Sequence, residues 1–240
     1  MNKEKILNLI KKLHPIKTEY ELIRVGPRGD GGYLLPNDLG GILDCFSPGV
    51  GAMSGFELEC AKRGMDIFLA DASVNNPQFN DSKFHFIKKY IGLNKSNDFV
   101  PINNWIEENY KNNSDILFQM DIEGAEYDNI LNLNKYYLDK IRIFVIEFHD
   151  LNKLWEEEFF NKAEKVFNRL LENHVCVHIH PNNSNRLFSK EGIDIPPVTE
   201  FTFFRIDRFK ELNFANEFPN NLDCDNTSAP TIILPKCWFN

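Results

Sequence analysis

The chain has 240 residues and a hydrophobic content of 42%, which predicts one globular domain with a substantial core. Its formal net charge is −8 and its 27 basic residues form no block, so a nucleic-acid partner is not expected. Five scattered cysteines without a CxxC pair predict neither a disulfide framework nor a zinc ribbon, so we expect a cytoplasmic protein. No apolar run has the length of a membrane span, so we expect no membrane partner.

The predicted elements begin with a helix, because residues 3–13 carry apolar side chains at helical spacing. Charged residues interrupt this stretch, which is unlike a signal peptide. Residues 24–41 are rich in Gly, Pro and Asp, which predicts a loop. From residue 42 apolar strands alternate with helices, which predicts an α/β fold with a mostly parallel sheet covered on both faces. Strands are predicted at 42–47, 66–71, 83–92, 115–121, 141–149, 175–180 and 198–207, and helices at 54–64, 103–111, 125–133 and 155–171.

The end of the first predicted strand, "SPGVGAMSG", has glycines that let the backbone approach a ligand closely. Asp71 ends the next strand 22 residues after Gly49, a spacing that suits a carboxylate binding ribose hydroxyls. The pattern predicts a nucleoside cofactor, although a plain glycine turn and a helix-capping Asp71 would look the same. The third glycine, Gly55, comes one residue later than in the dinucleotide pattern, which favours S-adenosylmethionine over NAD.

Polar residues also end the next two predicted strands. Asp121 follows "DILFQM", and Glu147 and His149 end the very apolar strand at 141–149. A buried Glu is costly unless it is paired, so we predict a cluster for general acid/base chemistry or for a divalent metal. A purely structural Glu–His pair remains the alternative, and Glu123 and Glu126 also suit the start of the following helix.

Two further segments carry candidate residues. In "VHIHPNN", His180 lies nearer the strand end than His178 and is the better functional candidate, while Glu200 either faces the same cavity or lies at the surface. The segment "GPRGDGGYLLPNDL" precedes the sheet, and we interpret it as a lid or acceptor wall. An ordered cap with a simple turn is the alternative interpretation.

The stretch "QMDIEGAEYDNIL" resembles the hallmark of FkbM-type methyltransferases, a pattern Lys/Gln-x-Asp-x-Glu-Gly-x-Glu that stands here as Gln119 to Glu126. The segments "VIEFH", "VHIHPNN" and "VTEFTFFRID" are similar to those of a bacterial subgroup that has "RxGxxxDGGY" near its start, here Arg24 to Tyr33. The resemblance covers roughly residues 20–207.

This resemblance implies a Rossmann-like class I methyltransferase domain at 42–210, with seven strands, the last antiparallel. Residues 1–41 would form the N-terminal helix and lid, and 211–240 an irregular tail packed on the domain. The implied activity is O-methylation by S-adenosylmethionine of a small polar acceptor, such as a sugar or a building block of capsule or surface polysaccharide. The donor would lie near Ser47, Gly49, Gly51, Asp71, Ala72 and Asp121. The acceptor would meet the catalytic residues Asp121, Glu147, His149 and His180 and the binding residues Arg28, Asp30, Tyr33, Glu123 and Asn182.

The acceptor hydroxyl must lose its proton, for which a positioned base contributes roughly 10²–10⁴-fold. Either His149 or Asp121 takes the proton, or Mg²⁺ or Mn²⁺ bound by Asp121, Glu147 and His149 lowers the pKa of the hydroxyl. Two other functions stay open at this point: an NAD-dependent sugar oxidoreductase and a non-catalytic nucleoside- or sugar-binding module. A homo-oligomer is also left open.

Overall fold

The computed structural model describes residues 1–51 and 53–239. At its centre is a seven-stranded sheet with the spatial order β3-β2-β1-β4-β5-β7-β6. Its strands are β1 Ile42–Pro48, β2 Asp66–Ala70, β3 Phe84–Ile87, β4 Asp115–Met120, β5 Ile141–Phe148, β6 His174–Pro181 and β7 Thr199–Arg205. Neighbouring strands are parallel except where β7 pairs antiparallel with β5 and β6. The prediction of an α/β fold with a mostly parallel sheet is confirmed.

Helices cover this sheet and bury their apolar side chains against it. They are α1 Lys3–Lys12, α2 Gly55–Lys62, α3 Ile102–Asn109, α4 Glu126–Asn132, α5 Lys135–Lys140 and α6 Glu157–Leu170. One buried cluster contains side chains of all these helices except α2, such as Ile6, Trp105 and Phe167. The second cluster packs Phe56 and Cys60 of α2 against the other face. Both faces of the sheet are therefore covered, as continuous apolar strands require.

The prediction of a loop at residues 24–41 is wrong in part. Leu22–Val25 and Tyr33–Pro36 form an antiparallel hairpin. Residues 26–32 alone make the connection, and Arg24 holds it by donating to the carbonyl oxygens of Pro27 and Gly29, each at 2.7 Å. The turn residues of this connection masked the short apolar strands on either side of it. The hairpin packs Val25 and Leu35 into the same core as α2.

The prediction of one strand at 83–92 is also wrong. The chain leaves β3 after Ile87, and Tyr90–Gly92 pairs in parallel with Phe99–Pro101 in a separate two-stranded sheet. The two lysines at 88 and 89, which lie at the break, are exposed or half-buried and do not continue the apolar strand. Tyr90 and Phe99 are thereby brought together beside the carboxyl end of β2.

The remaining segments fold back onto this framework. Ile16–Lys17 pairs with Asn213–Phe214, and Phe188–Lys190 with Ile193–Ile195. Short 3₁₀ helices lie at Leu151–Trp155, Ile206–Arg208 and Lys236–Trp238. The Trp238 side chain is fully buried and donates from Nε1 to the carbonyl oxygen of Asp194 at 3.1 Å. Within the described ranges, none of the helices is both long and apolar enough to cross a membrane.

Candidate functional site

A cavity of about 560 Å³ opens at the carboxyl ends of β1, β2 and β4. β1 lies between β2 and β4 in the sheet, so the loops that follow β1 and β4 diverge there and leave a crevice. The volume lies within the roughly 300–1,000 Å³ that is usual for small-molecule sites. The wall includes Gly49, Gly51, Asp71 and Asp121, four of the residues proposed from the sequence.

The loop after β1 depends on Gly49. This residue has φ +84°, and a Cβ built there would lie 1.5 Å from the carbonyl oxygen of Asp121. Only glycine therefore lets the loop after β1 pass this close to the end of β4. Its N–H donates to the carbonyl oxygen of Ala70 at 3.0 Å, which ties the loop to the end of β2 as well.

Asp71 lines the cavity but uses most of its hydrogen-bonding capacity within the protein. Its Oδ2 accepts the N–H of Gly51 at 2.8 Å, and its Oδ1 accepts the N–H and the hydroxyl of Ser73, both at 2.7 Å. A carboxylate has about four acceptor sites, so about one remains for a ligand. The structure thus leaves room for one ribose hydroxyl on Asp71, and not for the two that the sequence suggested.

A buried chain of polar side chains runs from the cavity floor into the protein. The hydroxyl of Ser47 lies 2.5 Å from Oε1 of Glu57 and 2.7 Å from Oε1 of Gln119, and Gln119 donates to the hydroxyl of Tyr33 at 3.2 Å. Burial raises the pKa of Glu57 to about 7, against the opposing effect of the Ser47 hydrogen bond. The raised pKa favours a protonated Glu57, which can donate to Ser47 and leave the Ser47 hydroxyl hydrogen for Gln119.

Sequence reasoning missed Glu57, which lies in the predicted second helix, where a carboxylate near the N-terminus is common. It also missed an apolar wall of Tyr90, Ile91 and Phe99, with the two aromatic rings 5.4 Å apart. The failed strand prediction at 83–92 hid this wall. Together these side chains give the cavity a polar floor and one apolar side.

The carboxylates predicted at the strand ends do converge, and they surround one imidazole. Nε2 of His149 lies 3.5 Å from Oε2 of Glu123 and 3.8 Å from both Oδ1 of Asp121 and Oε1 of Glu147. Nδ1 lies 3.2 Å from Oε1 of Glu126. We call Asp121, Glu123, Glu147 and His149 the acidic cluster. Asp121 and Glu123 line the cavity, and Glu147 and His149 do not.

The pKa values of three members of the acidic cluster are raised above their ordinary values. Burial raises the pKa of Asp121 to about 7, with His149 opposing and the neighbouring carboxylates adding to the rise. Burial and the charges of Asp121 and Glu200 raise the pKa of Glu147 well above its ordinary range. Burial by itself would lower the pKa of His149, but the hydrogen bond to Glu126 and the surrounding carboxylates raise it. Groups with such shifts are characteristic of functional sites.

The structure separates His180 from the acidic cluster. Its register partner on β7 is Glu200, which in turn faces Glu147 on β5, so the three lie in one row across the sheet. His180 is buried at the far end of that row, with Nδ1 3.7 Å from Oδ1 of Asp223. It is not part of the cavity wall. Asn182 does contact the cluster, because it donates to Oε1 of Glu147 at 3.0 Å.

The other predicted residues divide between the wall and its surroundings. Asp30, Tyr33 and Glu123 line the cavity. Arg28 is exposed, Ala72 is half-buried beside Asp71, and Ser47 lies fully buried beneath the floor, so none of these three belongs to the wall. Glu126, taken from the sequence as a helix-start charge, is the first residue of α4, yet it is fully buried and orients His149.

No protein-family model matches this chain, and no curated protein is significantly similar to it. The chemistry of the site is therefore inferred from its own residues and geometry.

Proposed function

We propose that this protein is an S-adenosylmethionine-dependent methyltransferase that methylates a hydroxyl of a small polar acceptor, such as a sugar. The observation that carries the proposal is the charge of the cavity wall. It presents five carboxyl side chains, those of Asp30, Glu57, Asp71, Asp121 and Glu123, and none of its described residues is Lys, Arg or His. Its charge is therefore negative even where the raised pKa values of Glu57 and Asp121 leave these two protonated. S-adenosylmethionine has a sulfonium, an ammonium and one carboxylate, so its net charge is positive and complements this wall.

The same wall disfavours the rival cofactor. NAD carries a negatively charged diphosphate, which here would meet carboxylates without a cationic side chain to offset them. The seven-stranded sheet with its antiparallel β7 also agrees with what the resemblance to FkbM-type methyltransferases implies. A class I methyltransferase fold is thus part of the proposal, and production of a capsule or surface polysaccharide building block is its expected context.

The proposal orients the donor by the residues that line the cavity. Its purine would lie against the apolar wall of Tyr90, Ile91 and Phe99, and one ribose hydroxyl would donate to the remaining acceptor site of Asp71. The carboxyl of Glu57, a residue of the cavity lining, would accept from the ammonium group of the donor when it is ionised. The proposal further requires that the methyl group face Asp121 and Glu123, the carboxylates that follow β4.

The transfer step needs alignment and a proton acceptor. The acceptor hydroxyl gives up its proton to the acidic cluster, where Asp121 is the member that is both on the wall and titrates near neutrality. The oxygen lone pair then attacks the methyl carbon, the carbon–sulfur bond breaks with its electron pair going to sulfur, and the products are a methyl ether and S-adenosylhomocysteine. Alignment of donor and acceptor supplies about 7–11 kcal/mol of the rate enhancement.

Calorimetry tests the cofactor. S-adenosylmethionine and S-adenosylhomocysteine should bind and NAD should not. Asp71→Ala should weaken adenosyl binding about 10- to 100-fold, because a charge-assisted hydrogen bond contributes about 1.5–3 kcal/mol. Glu172→Ala, which removes an exposed carboxylate just before the amino end of β6, is the matched control and should bind normally. Melting curves of both variants check that they are folded, and binding of NAD alone would refute the proposal.

A further inference from the structure

A second cavity, of about 460 Å³, lies at the same edge of the sheet as the cavity assigned to the donor. We propose that it binds the acceptor, and that Arg186 on its wall selects acceptors with an anionic group, a carboxylate or a phosphate on a sugar. The inference rests on the proposed function, because it names the class of acceptor for that methyl transfer. The wall also includes His149, Asn152, Asn185, Phe188 and Pro197.

His149 places the two cavities side by side. Its side chain belongs to the wall of the second cavity, and its Nε2 lies 3.5 Å from Oε2 of Glu123 and 3.8 Å from Oδ1 of Asp121, which both line the first cavity. The adjacency follows from the topology, because β5 ends directly before His149 and lies next to β4 in the sheet. A hydroxyl of an acceptor in the second cavity would therefore lie at the boundary where the methyl group of the donor is required.

The two cavities differ in charge. The first presents five carboxyl side chains and, among its described residues, no cationic one, so an anionic group of the acceptor is unfavourable there. In the second, Oδ2 of Asp150 is already paired with Nζ of Lys153 at 2.8 Å, whereas Arg186 is exposed and forms no ion pair within residues 1–51 and 53–239. A guanidinium binds a carboxylate or a phosphate through two parallel hydrogen bonds. The charge of the acceptor is thus selected at Arg186.

The short segment that carries Arg186 is fixed at both ends. Before it, the amide of Asn183, which is 3% exposed, donates to the carbonyl oxygens of Thr227 and Ala229 at 3.1 and 2.8 Å. After it, Phe188 begins a strand of a two-stranded sheet. Anchoring on both sides restricts the backbone between them, which lowers the entropy cost of binding a ligand there.

The rest of the lining suits a sugar ring. The amides of Asn152 and Asn185 offer donors and acceptors for hydroxyl groups. Phe188, Pro197 and Val198 supply apolar surface for the C–H groups of the ring. Apolar walls with a few polar groups that fix orientation are typical of small-molecule sites. The acceptor class is therefore an acidic sugar, either a uronate or a sugar phosphate.

Titration of the full chain followed by nuclear magnetic resonance, without donor, tests the site. The anionic probes are glucuronate, galacturonate and glucose 1-phosphate, and the neutral probe is glucose. At low ionic strength at least one anionic probe should bind about tenfold more tightly than glucose, and Arg186→Gln should remove this preference. Arg63→Gln, which removes an arginine directly after α2 and outside both cavities, is the matched control and should keep it. Melting curves check that both variants are folded.

The outcomes separate the possible anions and the two proposals. Preference for a uronate would identify a carboxylate as the recognised group, and preference for glucose 1-phosphate would identify a phosphate. Equal or undetectable binding of all probes, or a preference that persists in Arg186→Gln, would overturn the acceptor site. Displacement of the bound sugar by S-adenosylhomocysteine would also overturn it, because the sugar would then occupy the first cavity. Since the titration contains no donor, its failure is distinct from failure of the calorimetry with S-adenosylmethionine.

Discussion

Replacing Glu57 with glutamine should remove a pH-dependent penalty on folding. The carboxyl group is 4% exposed, and burial raises its pKa to about 7 from the ordinary 4.5. Folding therefore favours the protonated form. The stability that this group contributes is fully present below pH 4.5 and is lost as the pH rises through about 7. The difference of about 2.5 pKa units, at about 1.4 kcal/mol each, makes this loss about 3 kcal/mol at pH 8.

Glutamine keeps the donor towards Ser47 but cannot ionise. Urea denaturation at pH 5 and pH 8 should therefore show a free energy of unfolding that shifts in favour of Glu57→Gln by about 2.5 kcal/mol between the two pH values, because a small part of the loss is already present at pH 5. The control is Glu59→Gln, a more exposed carboxylate on the same helix that pairs with Arg63. A difference between wild type and Glu57→Gln that is the same at both pH values would refute the buried neutral carboxyl.

Three further substitutions test the framework by urea denaturation. Gly49→Ala should lower the free energy of unfolding by at least about 3 kcal/mol, because its Cβ would meet the Asp121 backbone. The control Gly51→Ala, which has open space around its Cβ, should lower it by only about 1–2 kcal/mol for its positive φ, and equal losses would contradict the reasoning. Trp238→Ala should cost about 3–5 kcal/mol, and a loss under 1 kcal/mol would show that the tail is dispensable. Burial would raise the pKa of Asp115, but its ion pairs with Arg142 and Arg205 lower it. Asp115→Asn should therefore be less stable than wild type at pH 7, and the difference should vanish as the pH falls through the lowered pKa. A difference that stays constant with pH would argue against the ion pairs.

Local pattern determined the sheet and the position of the site. Strand and helix periodicity depend only on near neighbours in the chain, so the alternation from residue 42 predicted a mostly parallel sheet. Parallel strands present their carboxyl ends at one edge, so Gly49, Asp71 and Asp121 could be placed together before any contact was known. The same reasoning placed Asp121 beside Glu147 and His149 at the end of the neighbouring strand.

Only the tertiary structure decided which polar groups are buried and which side chains they contact. His180 and the nearer His178 lie against Asp223, a residue of the C-terminal tail, and the pKa of Glu57 is raised because the protein encloses its carboxyl group. These features depend on contacts between residues far apart in sequence, which no periodicity encodes. Glu126 shows the difference best: as a sequence feature it is a charge at a helix start, and in the fold its burial turns it into the group that fixes the ring of His149.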